Sequence, residues 1–132
     1  MAKIIIASGP VIVENNKTLL DVSGKDAFWK FCGGRIKEGE SLIQTAKRRA
    51  KEELGIDIEI INKEPFLMLV HREDGEEITD AILVHFLSKR MGKVNPGPDI
   101  KKWEWIDLQQ LPVDNELGEN IKPTLTHFGF IK

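Results

Sequence analysis

The sequence predicts an α+β domain, a mixed β-sheet with helices packed on it. Two observations predict this. Runs rich in Ile and Val stand before and after one strongly amphipathic helical stretch, and turn chemistry separates those runs at hairpin intervals. A chain of 132 residues has room for one real core and not for two independent ones, and no repeat, low-complexity tract or Pro/Ser-rich linker divides it. A single domain over residues 1–132 is expected.

Composition excludes several classes. With 41% hydrophobic residues and a net charge of only -2, the chain is too apolar and too balanced to be disordered. The same balance carries no electrostatic signal for DNA binding. Cys32 is the only cysteine, which rules out an internal disulfide framework and fits a reducing compartment. The apolar run Ile4–Ile6 is far too short for a signal peptide or a membrane span. A soluble, cytoplasmic protein with no membrane partner is expected.

Lys3 to Glu14 is the first strand-like run, with Ser8-Gly9-Pro10 as a bend. Asn15-Asn16-Lys17 is turn chemistry, and Thr18 to Val22 is the returning strand of a hairpin. Ser23 to Asp26 reads as loop, and Phe28-Trp29-Lys30-Phe31 leads into Cys32-Gly33-Gly34. At Ser41 the period changes. On a helix turning about 100° per residue, Leu42, Ile43, Ala46, Ala50 and Leu54 form one apolar stripe that faces the core. Gly55 then supplies a left-handed stop. Ile56 to Ile61 alternates with Asp57 and Glu59, Pro65 to Arg72 is largely apolar, and Glu73-Asp74-Gly75-Glu76 is a hairpin tip. Ile78 to Lys89 reads as a long strand, whose unbroken apolar stretch Ala81 to Val84 predicts burial on both faces. Pro96-Gly97-Pro98 is irregular, Trp103 to Ile106 is a short strand, and Ile121, Leu125 and Phe128 mark a final helix. That helix must start near Pro123 or kink there.

Chemistry concentrates between Gly33 and Ile56, in GGRIKEGESLIQTAKRRAKEELGI. Thr45, Arg49, Glu52 and Glu53 share a helix face away from the apolar stripe. Adjacent carboxylates at one end of a helix, with Glu40 and bare glycine carbonyls at the other, make an oxygen-rich site. Such a site suits a hard cation like Mg²⁺, which keeps waters that a phosphate can replace. The same residues also read as a solvated face on which Glu52 and Glu53 pair with Arg48 and Arg49, worth only about 0.3–0.5 kcal/mol per pair.

The spacing separates the two readings. Gly34, five residues, Glu40, seven residues, Arg48, then Glu52-Glu53, Gly55 and Ile56 resemble the Nudix hydrolase signature. That signature is G-x5-E-x7-R-E-U-x-E-E-x-G-U with U aliphatic, and Ala50 falls on its first U. The resemblance implies a Nudix-like α/β/α sandwich. It also implies Mg²⁺- or Mn²⁺-dependent hydrolysis of a phosphoanhydride bond in a nucleoside diphosphate linked to another moiety. By position, Glu52 and Glu53 look like the metal-ligand carboxylates and the Gly33 carbonyl like a further ligand. Arg48 then orients Glu52, Glu40 braces the loop or assists at the metal, and Gly34 belongs to the loop that meets substrate. A homodimer is left open.

Two positions depart from the signature. Where it carries Glu after the box Arg, this chain carries Arg49, three and four residues before Glu52 and Glu53. Arg49 is therefore placed to salt-bridge the carboxylates a cation needs, which predicts weaker cation binding, fewer metals or a base drawn from elsewhere. A bidentate contact between this guanidinium and substrate phosphate is the constructive alternative. Asp99, in the Pro/Gly loop, is the first candidate to replace the missing carboxylate, and Glu104 is the second; Asp99 reads equally well as an acidic turn residue. Cys32 stands where many relatives have Pro and reads as a small buried thiol.

Phe28 and Trp29, and likewise Trp103 and Trp105, are candidates to stack on a base, weighed against a core role. His71 and Arg72 end a strand, facing a cleft or solvent. His85 and His127 read as structural. Asn115 and Asn120 are placed before the last helix where an amide could meet a base edge. Three functions follow: a metal-dependent nucleotide pyrophosphohydrolase, a Nudix-like binding module whose hydrolysis Arg49 has weakened, and a structural domain with an acidic helix.

Overall fold

Strand β7 (Glu77–Met91) is the spine of the computed structural model, which describes residues 2–132. On one edge it pairs in parallel with β1 (Ala2–Val11), in a register running from Ala2↔Ile78 to Val11↔Leu87. On the other it pairs antiparallel, first with β5 (Asp57–Ile60) and then with β6 (Phe66–Asp74). The two-residue strand β4 (Gly34–Arg35) adds to the far edge of β1. A second, antiparallel sheet holds β2 (Val13–Glu14), β3 (Lys17–Ser23) and β8 (Ile100–Asp107) in that order. Asn15 and Asn16 turn β2 into β3 with φ of 51° and 63°, the conformation that asparagine tolerates in tight hairpins.

Helix α1 (Leu42–Leu54) begins and ends on local signals. The Ser41 hydroxyl accepts the Gln44 N–H at 3.1 Å while the Gln44 side chain accepts the Ser41 N–H at 2.8 Å, a capping box, and Gly55 closes the helix at φ 67°. Its stripe buries Ala46, Ala50 and Leu54 against Ile12, Leu19, Ile56, Ile58, Val84 and Phe86. Helix α2 (Ile121–His127), with Pro123 in its first turn, buries Ile121 and Leu125 against Val11, Leu20, Phe31 and Ile106. Neighbouring residues therefore feed opposite cores: Val11 and Leu20 face α2, while Ile12 and Leu19 face α1. The period-2 geometry of strands creates this α/β/α layering, and each buried Leu or Ile contributes about 1.5–3 kcal/mol.

Two expectations change. The bend at Ser8-Gly9-Pro10 is absent: β1 continues through all three residues, past the short reach of β4, where proline is tolerated in a strand. Burial on both faces of Ala81 to Val84 holds only for Ala81 and Val84, because Leu83 lines a cleft and Ile82 lies half-buried. Ile4, Ile6, Leu67 and Leu69 are exposed on the two strands that flank β7. Among the described residues no helix is long and apolar enough to cross a membrane.

Candidate active site

The loop from Cys32 to Gly34 is held by backbone on one side and by α1 on the other. Asp21 and Lys30 exchange two backbone hydrogen bonds of 2.9 Å, which pin the segment entering the loop to β3. Gly9 of β1 packs so closely beneath it that a Cβ there would stand 1.8 Å from the Cys32 carbonyl oxygen. From α1, the nearly buried Glu53 accepts the Gly33 N–H on Oε1 at 3.1 Å, and the Cys32 thiol meets the same oxygen at 3.6 Å. Burial, with Glu53 adding to it, pushes the Cys32 thiol well above its ordinary range. Cys32 is thus an inert packing thiol, as the sequence suggested.

Glu40 and Arg48 form the brace. The Arg48 Nε donates to Glu40 Oε2 at 2.6 Å, and Glu40 Oε1 accepts from the Lys37 N–H and the Thr45 hydroxyl, both at 2.9 Å. The Arg48 hydrogen bond is the main reason that the Glu40 carboxyl is held down to about 2. Arg48 reaches further, to the Arg35 carbonyl at 2.9 Å and to Glu52 Oε1 at 2.6 Å. Partial burial pushes the Glu52 carboxyl up, but Arg48 and then Arg49 outweigh it and hold it below its ordinary value.

Arg49 decides what this box can hold. Its Nε donates to the Gly33 carbonyl at 3.3 Å, its Nη1 lies 3.2 Å from Glu52 Oε1, and its Nη2 lies 3.0 Å from Glu53 Oε2. One guanidinium therefore touches all three groups expected to ligate a divalent cation. Mg²⁺ needs carboxylate and carbonyl oxygens whose lone pairs are free. Here those oxygens already face a positive charge, and among the described residues no cluster of three or more His, Cys, Asp or Glu is arranged to hold a metal ion. The box as folded does not fit the expected Mg²⁺ or Mn²⁺.

Beside the box opens a cleft of about 590 Å³. Gly33 and Gly34 form part of its wall. Phe28 stands in it with the Arg72 guanidinium 4.7 Å over its ring, and Asp26 pairs with Arg72 at 3.6 Å. His85 and Asn120 also line it, with Asn120 Nδ2 3.3 Å from His85 Nδ1 and the Phe31 ring 5.1 Å from the imidazole. Burial pushes His85 down to about 4, so it is neutral at pH 7. Asp99 reaches the same cleft. Its loop is tied to the end of α1 by the Gly97 N–H, which donates to the Glu53 carbonyl at 2.9 Å.

Several candidates lie elsewhere. Trp29 is a partly buried packing residue: its backbone bonds Glu116 and Gly118, its ring packs on the α2 core, and Lys102 caps it at 5.0 Å. Asn115 is exposed on a 3-10 turn and does not line the cleft, where Asn120 stands instead. Trp103 and Trp105 pack toward the α1 core. His71 is exposed and pairs with Asp80 at 2.6 Å, whereas its neighbour Arg72 enters the cleft. Conversely, His85 borders the cleft rather than serving packing alone. Asp21 lies outside every motif of the sequence. It is 1% exposed in the middle of β3, and desolvation first, then Glu53, raises its carboxyl to about 7. The available signal was a carboxylate interrupting the strand LLDVS.

The family model described as NUDIX domain matches residues 7–128. The chain belongs to the Nudix family. The Nudix hydrolase 5 of Arabidopsis thaliana is 28% identical over 126 residues, covering 88% of this chain and 41% of that protein. The isopentenyl-diphosphate Delta-isomerase 2 of Aromatoleum aromaticum is 29% identical over 85 residues, 63% of this chain and 44% of that protein. This Nudix chain thus spans about two fifths of the length of the curated relatives it matches. A NUDIX family hydrolase from Clostridium perfringens superposes with a TM-score of 0.74 at 19% identity, covering 92% of this chain and 93% of that one. The MutT NUDIX hydrolase from Burkholderia pseudomallei gives 0.69 at 23% identity, over 94% and 97%. These likenesses show the Nudix fold, in agreement with the expected α+β sandwich.

Proposed function

We propose that this Nudix domain hydrolyses a phosphoanhydride bond in a nucleoside diphosphate linked to another moiety. The supporting observation is a cleft walled by the Gly33–Gly34 loop, which Glu53 of α1 holds through the Gly33 N–H, and by an aromatic and amide-bearing face. A base stacks on Phe28, and the neutral His85 with Asn120 offers hydrogen bonds to its edge. The diphosphate lies along Gly34 and Arg49, where guanidinium donors offset its charge. Glu52, 45% exposed and ionised at pH 7, orients the attacking water. Water adds to one phosphorus, the bridging P–O bond breaks, and the proton released by the water passes to a carboxylate base and on to solvent. Asp99, on the cleft wall, is the candidate base in place of the carboxylate that Arg49 replaces. Glu53 holds the loop from below, while Glu40 and Arg48 hold it from the side. Mg²⁺ or Mn²⁺, which the family resemblance implies, carries no step here, because Arg49 engages the three oxygens that would bind it.

The test is product release from a panel of nucleoside triphosphates, nucleotide sugars, ADP-ribose, dinucleoside polyphosphates and capped RNA, with and without Mg²⁺ or Mn²⁺. Turnover of any member supports the proposal. Silence across the panel, in a protein that melts cooperatively, favours the second reading, a nucleotide-binding module, for which the Arg49 contacts are the motive. Cytoplasmic residence is supported by the lone buried thiol of Cys32. Self-association is supported by the exposed Ile4, Ile6, Leu67 and Leu69, and light scattering measures it.

A further inference from the structure

We propose that Arg49 is a resident cation: its guanidinium takes the place of a divalent metal in the box and binds the diphosphate of the ligand directly, in the absence of metal. This rests on the reading that the ligand is a nucleotide-type diphosphate, and it concerns how that group is held.

The geometry is that of an occupied cradle. Three groups converge on one guanidinium, the Gly33 carbonyl at 3.3 Å, Glu52 at 3.2 Å and Glu53 at 3.0 Å. The backbone makes room for it. A Cβ at Gly34 would stand 2.2 Å from Arg49 Nε, so the missing side chain at this position is what lets the guanidinium lie against the loop. The anchor is buried. Glu53 is 4% exposed, and Arg49 is the one cation within ion-pair distance of it among the described residues. With no cation in Arg49's place the Glu53 carboxylate would be buried and unpaired, so the folded box depends on this guanidinium.

Charge argues the same way. Glu40, Glu52 and Glu53 against Arg48 and Arg49 leave one net negative charge among these five side chains, where a glutamate at 49 would leave three. The attraction for a divalent cation is correspondingly smaller. The guanidinium also retains binding capacity. Of its five N–H donors, the three contacts above use three, so two remain. The side chain is 25% exposed and lies against Gly34, a residue of the cleft wall, without lining the cleft itself, so a phosphate that reaches past Gly34 meets a guanidinium with donors to spare.

Isothermal titration with Mn²⁺ alone, and with inorganic pyrophosphate in EDTA, tests the proposal on the parent chain and on Arg49→Gln and Arg49→Glu. The parent should show no Mn²⁺ isotherm and should bind pyrophosphate in EDTA. Arg49→Gln, which removes the charge without adding a carboxylate, should weaken that binding about tenfold or more while melting cooperatively. Arg49→Glu should gain a Mn²⁺ isotherm and lose binding in EDTA. One-to-one uptake of Mn²⁺ by the parent overturns the proposal, as does pyrophosphate binding that EDTA abolishes or that Arg49→Gln leaves unchanged. The two readings separate cleanly. A parent that binds pyrophosphate in EDTA but turns over no nucleotide upholds the resident cation and overturns the hydrolase. A parent that takes up Mn²⁺ and needs it for turnover does the reverse.

Discussion

Replacing the buried Asp21 by asparagine should stabilise the protein at alkaline pH and leave it unchanged in acid. Asp21 is 1% exposed, its Oδ1 has no hydrogen-bond partner, and desolvation with help from Glu53 raises its carboxyl from 3.8 to about 7, against the pull of Ser23, Lys30 and Arg49. Below pH 4 the carboxyl is protonated in both folded and unfolded chains, and its titration adds nothing to stability. Between pH 4 and 7 the unfolded chain releases its proton while the folded chain keeps it, so folding must take up a proton and stability falls as pH rises. Above pH 7 the full cost is present. A gap of roughly three units at about 1.4 kcal/mol each sets a ceiling near 4 kcal/mol, so about 2–4 kcal/mol is expected. The Asp21→Asn variant has no such titration. At pH 8 its melting temperature should exceed the parent's by about 5–15 °C, and the gain should shrink steadily toward pH 4. Paired thermal melts by circular dichroism at pH 4, 6 and 8 measure this. A difference that is flat with pH, or a variant less stable than the parent at pH 8, would refute the burial argument.

Other consequences follow from the same geometry. Glu53→Gln keeps an acceptor for the Gly33 N–H but loses the charge facing Arg49, so turnover of any active substrate should fall on the order of 10²-fold while the variant still melts cooperatively; unchanged turnover removes this helix from the site. Gly9→Ala drives a methyl against the Cys32 carbonyl and should cost about 1–3 kcal/mol or more, read as a lowered melting temperature, and an unaltered melt counts against that close approach. The Glu40 carboxyl, followed by carbon-detected NMR, should titrate near 2 in the parent and shift upward in Arg48→Ala, with the Lys37 and Thr45 hydrogen bonds still holding it down in part. Its pairing with Arg48 is thus fully present above pH 4.5 and lost as pH falls through about 2; a midpoint unmoved by Arg48→Ala would show that another group holds it. Cys32 should resist a thiol reagent at pH 8 until the protein is unfolded in guanidinium chloride, and prompt labelling would contradict its burial.

What was legible in the sequence is what depends on short spans of chain. Helix α1 could be read from the change of period at Ser41 to the Gly55 stop because the apolar stripe and the left-handed glycine act within a few residues of one another, and the structure adds the Ser41 capping box. The box positions followed from the same helix, including the nearness of Arg49 to both Glu52 and Glu53, which helical spacing alone dictates. The Asn15-Asn16 turn was legible for the same reason.

Tertiary structure decided the rest, wherever a partner distant in sequence sets the outcome. Gly9 and Pro10 stay in a strand because His85 and Phe86 of β7 pair with them. Trp29 leaves the ligand wall and Asn120 joins it because the segment around Gly118 docks on the Trp29 backbone. Asp21 becomes a raised acid because the fold desolvates it and brings the Glu53 charge near it. The sequence by itself determined that a guanidinium stands within reach of two carboxylates. Only the fold added the Gly33 carbonyl and the open backbone of Gly34, and that third contact turns a surface ion pair into an occupied cation cradle, because electrostatic complementarity belongs to groups that converge in space.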